Sequence, residues 1–146
     1  MTAEAPLPLA TIDTNILIYA VDRAAGAKHE AALGLVAETA RRHGLLTLQV
    51  LGEFFYATMR KGVLTHQEAA GYVADWRAVF PVVAANEAAL AEAIGAVSDH
   101  GFSFWDAMLW ATARQAGCGR ILSEDMQHGR KLDGVEIVNP FTTGLD

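Results

Sequence analysis

Cysteine is almost missing from this chain: Cys118 is the only one, so an intrachain disulfide and a CxxC metal pair are both excluded, which fits a reducing cytosol. No run of about 18 apolar residues occurs, and the start Met1-Thr2-Ala3-Glu4 has neither a basic n-region nor an apolar core, so no membrane span and no signal peptide are expected. Positive charge is scarce as well. Eleven Lys and Arg against seventeen Asp and Glu give a net charge of −6, so any polyanion has to be held by a local patch. The phosphate-loop pattern GxxxxGKS/T, the fingerprint GxGxxG and the elbow GxSxG are all missing, which removes nucleotide and serine hydrolases of the common kinds. The histidines at 29, 43, 66, 100 and 128 show no HExxH or paired spacing, which argues against zinc.

What is present suits one compact domain over residues 1–146, with 52% hydrophobic and 19% charged side chains. Short apolar runs at residues 7–12, 45–48, 81–84, 120–123 and 135–138 predict five strands. Between them, alanine-rich stretches with helical spacing predict helices over 28–43, 49–61, 65–79, 86–100 and 103–116, with a short helical turn at 14–20. Thr65 with Glu68 and Ser103 with Asp106 have capping-box spacing, Asn86 begins another helix, and Gly44, Gly62, Gly101 and Gly117 mark helix ends. Strands alternating with helices predict an α/β fold with a mostly parallel sheet.

In such a sheet each helix runs back against the strands, so a helix that directly follows a strand starts at the strands' carboxyl edge. Asp13 closes the first run and Asp125 stands two residues past Ser123 at the end of the fourth, which puts both at that edge. Glu53 lies in the first turn or two of the helix beginning near Gln49 and joins them. The helix of Asp106 reaches its strand through Gly117-Cys118-Gly119 alone, so its far end, roughly 20 Å away, returns to the same edge.

Each acid also has an ordinary role open to it. Asp13 suits a helix cap, Asp125 a turn, and Glu53, opposite the Val50, Leu51, Phe54 stripe with Gln49, Tyr56 and Arg60, a solvated glutamate. Asp106 shares a face with Leu109, Trp110 and Ala113, so its carboxylate needs a partner; a capping box with Ser103 supplies one and a metal the other. Four ionised carboxylates on one rim repel and raise one another's pKa values, and one or two divalent cations relieve that repulsion. Hard oxygen ligands select magnesium or manganese. An ion so held lowers the pKa of a bound water and neutralises charge on a phosphodiester, which suits its hydrolysis.

Asp13-Thr14-Asn15 after a first strand, Glu53 on the helix after the second, Phe104-Trp105-Asp106-Ala107 opening a helix and Ser123-Glu124-Asp125 after the fourth strand together resemble the PIN domain. Over residues 9–141 the chain looks like a VapC-type toxin ribonuclease of a type II toxin–antitoxin system. The resemblance implies a three-layer α/β/α fold with a five-stranded parallel sheet of order 3-2-1-4-5 and a Mg2+- or Mn2+-dependent endoribonuclease site at its carboxyl edge. By position Asp13, Glu53, Asp106 and Asp125 match the family's catalytic, metal-holding quartet, and Asn15 and Ser123 match its orienting polar partners. The pattern Ser/Thr, any residue, Asp favours Asp125 over Glu124. Gln49 departs from the family, where many relatives carry Ser or Thr. The implied partners are structured RNA of the transfer or ribosomal class, a second copy in a homodimer, and a VapB-like antitoxin that blocks the acidic cleft and carries the complex to promoter DNA, all in the cytoplasm.

Arg60-Lys61 and Arg130-Lys131 are the paired cations that could hold RNA phosphates, with Arg23 and Lys28 near the first helix; Arg41-Arg42 suits the carbonyl end of its own helix. The tryptophans suit core or interface, and Trp105, beside Asp106, is the one best placed to stack on a base. The rival reading is a catalytically silent PIN-like or receiver-like binding module whose acids serve caps and a cation-dependent contact.

Overall fold

The computed structural model describes residues 7–142, so the opening Met1-Thr2-Ala3-Glu4 lies outside the described residues. Strand β1 (Ala10–Ile12) is buried throughout and ends at Asp13, whose Oδ1 accepts the Thr14 N–H at 2.7 Å and so caps helix α1 (Thr14–Val21). A turn of 3-10 helix at Arg23–Ala25 leads into α2 (Ala27–Arg41). Strand β2 (Leu46–Thr47) passes into α3 (Leu48–Arg60) without a linker, because Thr47 is itself the cap and its hydroxyl accepts the Val50 N–H at 3.2 Å. Helix α4 (His66–Val79) opens on the expected Thr65–Glu68 capping box. After β3 (Val82–Val83) comes α5 (Glu87–His100), opened by Asn86 and closed by Gly101 in the left-handed region. Helix α6 (Phe104–Gln115) then leads to β4 (Arg120–Leu122), β5 (Lys131–Leu132) and β6 (Val135–Val138).

Strand β1 pairs in parallel with β4, β4 with β6, and β2 with β3. A parallel bridge from Thr11 to Leu45 joins the two groups into the order β3-β2-β1-β4-β6-β5. The five expected strands therefore lie in the expected order, with two corrections. The sheet is not wholly parallel, because β5 is a sixth strand set antiparallel on β6. Asp133 and Gly134, with φ of 47° and 83°, form the two-residue left-handed turn that such a hairpin requires. The second correction is at Gly44. His43, at φ 61°, takes the left-handed position at the end of α2, and Gly44 serves close packing instead. A Cβ on it would stand 2.6 Å from the Ala10 carbonyl oxygen, where the Leu45 N–H must reach that same oxygen at 3.1 Å to hold β2 against β1.

Ile12, Leu17, Leu46, Phe54, Leu109, Ile121 and Ile137 are fully buried between the sheet and the helices, which pack in pairs, α1 with α2, α3 with α4 and α5 with α6. Trp76 lies against Phe54 at 4.7 Å between ring centroids, and Trp110 stacks on Phe102 while its indole N–H donates to the Leu132 carbonyl at 3.2 Å. Both are core, whereas Trp105 is 61% exposed. Among the described residues no helix is long and apolar enough to cross a membrane.

Candidate active site

The ends of β1, β2 and β4, the helices α1 and α3 that begin at the first two, and the start of α6 bring Asp13, Glu53, Asp106 and Asp125 to one cleft, together with Thr14, Asn15, Tyr56, Arg60 and Lys61. Asp13 sits deepest. Its Oδ2 accepts the Ser123 hydroxyl at 2.7 Å, and Ser123 is fully buried and in turn accepts the Met126 N–H at 3.1 Å. Burial pushes the Asp13 carboxyl up to about 6; the hydrogen bonds from Ser123 and Thr14 pull the other way, and the charges of Asp106 and Glu53 add to the rise.

Glu53 is not the solvated glutamate its helical position suggests. It is half-buried, its Oε2 accepts the Thr14 hydroxyl at 2.8 Å, and its Oε1 accepts the Gln49 side-chain amide at 2.9 Å. The same Gln49 amide lies 3.1 Å from the Trp105 carbonyl, so it ties α3 to the first turn of α6. Thr14 and Gln49 stand in the sequence beside the expected acids but were given no role there, and the structure makes both partners of Glu53. The four-residue spacing from Gln49 to Glu53 on one helix face was the available signal for the latter.

Asp106 occupies the first turn of α6, half-buried. The expected capping box is absent: Ser103 holds the N-cap position, but its side chain makes no capping bond to the helix backbone. Burial raises the Asp106 carboxyl above its usual range; a hydrogen bond from Ser103 opposes the rise, and Asp125 and Glu53 reinforce it. Asp125 is exposed, and its Oδ2 accepts the Asn15 side-chain amide. Glu124 is engaged elsewhere, accepting the Tyr19 hydroxyl at 2.5 Å and Lys28 Nζ at 2.6 Å. Asp125, and not Glu124, is the one of these two that lines the cleft. Glu124→Gln is accordingly expected to lower the melting temperature slightly, as loss of an exposed ion pair does, and to leave Mn2+ affinity at the unmodified level in a calorimetric titration.

The candidate cations divide. Arg60 and Lys61 line the cleft, with the Arg60 guanidinium 5.8 Å from the Tyr56 ring centroid. Arg130 and Lys131 do not line it: Arg130 donates to the His100 carbonyl and stacks 4.4 Å over Phe102, and Lys131 lies in the edge strand β5. Arg41 and Arg42 pair with Glu38 on their own helix, where α-helical carbonyls were expected to take them. Among the described residues no three acidic, histidine or cysteine side chains stand close enough to make a ready-formed metal shell. The four carboxylates in the cleft nevertheless offer only oxygen ligands, and their charges add to the raised pKa values of Asp13 and Asp106, which fits a cation that keeps several waters and takes one or two carboxylates directly, as magnesium does.

The fold and the cleft together define an α/β protein with an acidic site at the carboxyl edge of its sheet. Residues 10–131 match the PIN domain model, and the chain belongs to the PIN domain family. Among solved structures it is similar to VapC20 of Mycobacterium tuberculosis, described as a sarcin-ricin loop cleaving toxin, at 23% identity over 80% of this chain and 89% of that one, with a TM-score of 0.65. It is similar to a toxin–antitoxin complex from Klebsiella pneumoniae at 20% identity over 90% and 97% of the two chains, TM-score 0.64. It is also similar to VapBC2 of Rickettsia felis bound to a promoter DNA fragment, at 11% identity over 88% and 96%, TM-score 0.62. No curated protein sequence matches the chain.

Proposed function

We propose that this protein is a Mg2+- or Mn2+-dependent endoribonuclease of the VapC type, a toxin restrained by a VapB-like antitoxin. The observation that carries the reading is the meeting of four carboxylates from the β1–α1 junction, α3, α6 and the loop after β4 in one cleft, two of them with pKa values raised by burial and by neighbouring acids. Helix caps and surface charge need no such convergence. In this reading Asp13, Glu53, Asp106 and Asp125 hold the ion directly or through water. Ser123 orients Asp13 and Asn15 orients Asp125, each by the hydrogen bond it donates. When bound, the ion supplies a water of lowered pKa and neutralises charge on the scissile phosphate. Arg60 and Lys61 draw the flanking phosphates to a cleft that the acids alone would keep negative.

The substrate class is structured RNA, transfer or ribosomal, and VapC20, which is described as cleaving the sarcin-ricin loop, supports that choice. The toxin–antitoxin complexes among the similar structures support an antitoxin partner, through which promoter DNA would be bound. A homodimer in the cytoplasm completes the proposal. The test is a calorimetric titration of Mn2+ into the protein at neutral pH, followed by incubation with total RNA with and without a chelator. Saturable binding and chelator-sensitive cleavage are expected. No binding would return the acids to caps and surface charge and favour the silent binding module.

A further inference from the structure

We propose that the acidic cleft continues into a groove that takes one unpaired nucleobase of the RNA, with Gly52 as its floor and Trp105 as its wall; the proposal rests on the nuclease reading. The groove is lined by Leu48, Gln49, Gly52, Ala85, Trp105 and Met108, and it shares Glu53 with the cleft, so the two are continuous. Trp105 directly precedes Asp106 in α6, and its carbonyl is held 3.1 Å from the Gln49 amide. Its ring meets Phe104 edge-on at 4.8 Å and remains 61% exposed, although Trp76 and Trp110 are buried.

Of the helical glycines with free space about them, Gly34, Gly52, Gly71 and Gly95, Gly52 is the one that lines this groove. It lies inside helix α3, where glycine weakens a helix, and a Cβ built on it meets nothing within 4 Å. Among the described residues nothing stands close enough to require glycine there, and its missing side chain leaves open space above the helix, on the groove that Trp105 also lines. On the other side of Glu53 the same helix presents Tyr56, 68% exposed, with Arg60 and Lys61 beyond it. An RNA strand crossing α3 would thus set its phosphate at the carboxylates, one base in the Gly52–Trp105 groove and the next nucleotide against Tyr56 and the cations. Cations at the far end of the cleft favour a polyanion over a protein side chain as the occupant. A base held in a duplex cannot enter the groove, so the site selects looped or single-stranded RNA.

The test uses Trp105→Ala and Gly52→Phe, the second of which fills the groove from a position with room for a side chain. Steady-state cleavage is measured on a single-stranded oligoribonucleotide of about 12 nucleotides and on the same strand annealed to its complement, with Mn2+ affinity measured for each protein. The unmodified protein is expected to prefer the single strand. Both variants are expected to raise KM about tenfold on it while binding Mn2+ as before, as loss of one stacked base predicts. Unchanged KM in both variants overturns the proposal and leaves the nuclease reading standing, as does equal use of the duplex. Loss of subunit or antitoxin association in both variants, with RNA kinetics intact, overturns it by assigning the groove to a protein partner. Failure of the unmodified protein to cut or bind any RNA overturns the nuclease reading, and the groove with it.

Discussion

Asp106→Asn is expected to abolish metal-dependent cleavage, with a loss of about 10³-fold or more in single-turnover rate, because members of a unit that stabilises one transition state fail together. The expectation is sharp because Asp106 has little else to do. Ser103 makes no side-chain capping bond, so the reciprocal box that would give the carboxylate a structural role is not formed. Its charge is instead a burden on the metal-free fold: burial and the neighbouring Asp125 and Glu53 raise its pKa, so folding works against the ionised carboxylate. Asparagine removes that charge at nearly the same volume. A thermal melt without metal should therefore show the variant at least as stable as the unmodified protein, while a Mn2+ titration shows weakened or absent binding. A variant that cleaves normally would remove Asp106 from the catalytic set, and one that melts well below the unmodified protein would restore its role as a cap.

The meeting of the four acids was legible from sequence because it follows from topology alone. A strand followed at once by a helix fixes an edge for Asp13 and Glu53, Asp125 follows the end of β4 at that edge, and Asp106 opens the helix whose other end feeds β4. The features that escaped depend on things a periodicity cannot carry. Strand β5 is Lys131–Leu132 with Arg130 and Asp133 on either side, so unlike the equally short β2 and β3 it offers no apolar run, and its signal lay in the Asp133-Gly134 turn. Gly44 marks a helix end in sequence, yet its function is the distance to the Ala10 carbonyl, a contact across 34 residues. Thr14 and Gln49 act by which way their side chains turn, toward Glu53 from two different helices. Arg130 was grouped with Arg60 on charge alone, and the carbonyl of His100 and the ring of Phe102 claim it.

Asp13 gives the second large effect, and its sign runs against the usual one for a carboxylate. Its pKa rises from 3.8 to about 6 on folding without metal, so the folded chain holds the proton more tightly than the unfolded chain does. The resulting stabilisation is complete below the unfolded pKa and is lost as pH rises through about 6, a change of up to about 3 kcal/mol. Metal-free protein should therefore lose melting temperature between about pH 4 and pH 7 relative to Asp13→Asn, whose side chain stays neutral throughout. A divalent cation that binds only the folded, ionised cluster reverses this. At a hundredfold excess over its dissociation constant it adds about 2.7 kcal/mol, with the gain growing as Asp13 deprotonates. Melts across that pH range, with chelator and with Mn2+, separate the two effects: the Mn2+-induced rise should be largest above pH 6 in the unmodified protein and small in the variant. Parallel metal-free curves for the two proteins would mean that folding leaves Asp13 at its ordinary acidity. A Mn2+ response that survives intact in Asp13→Asn would mean that the ion is held by the other three acids without it.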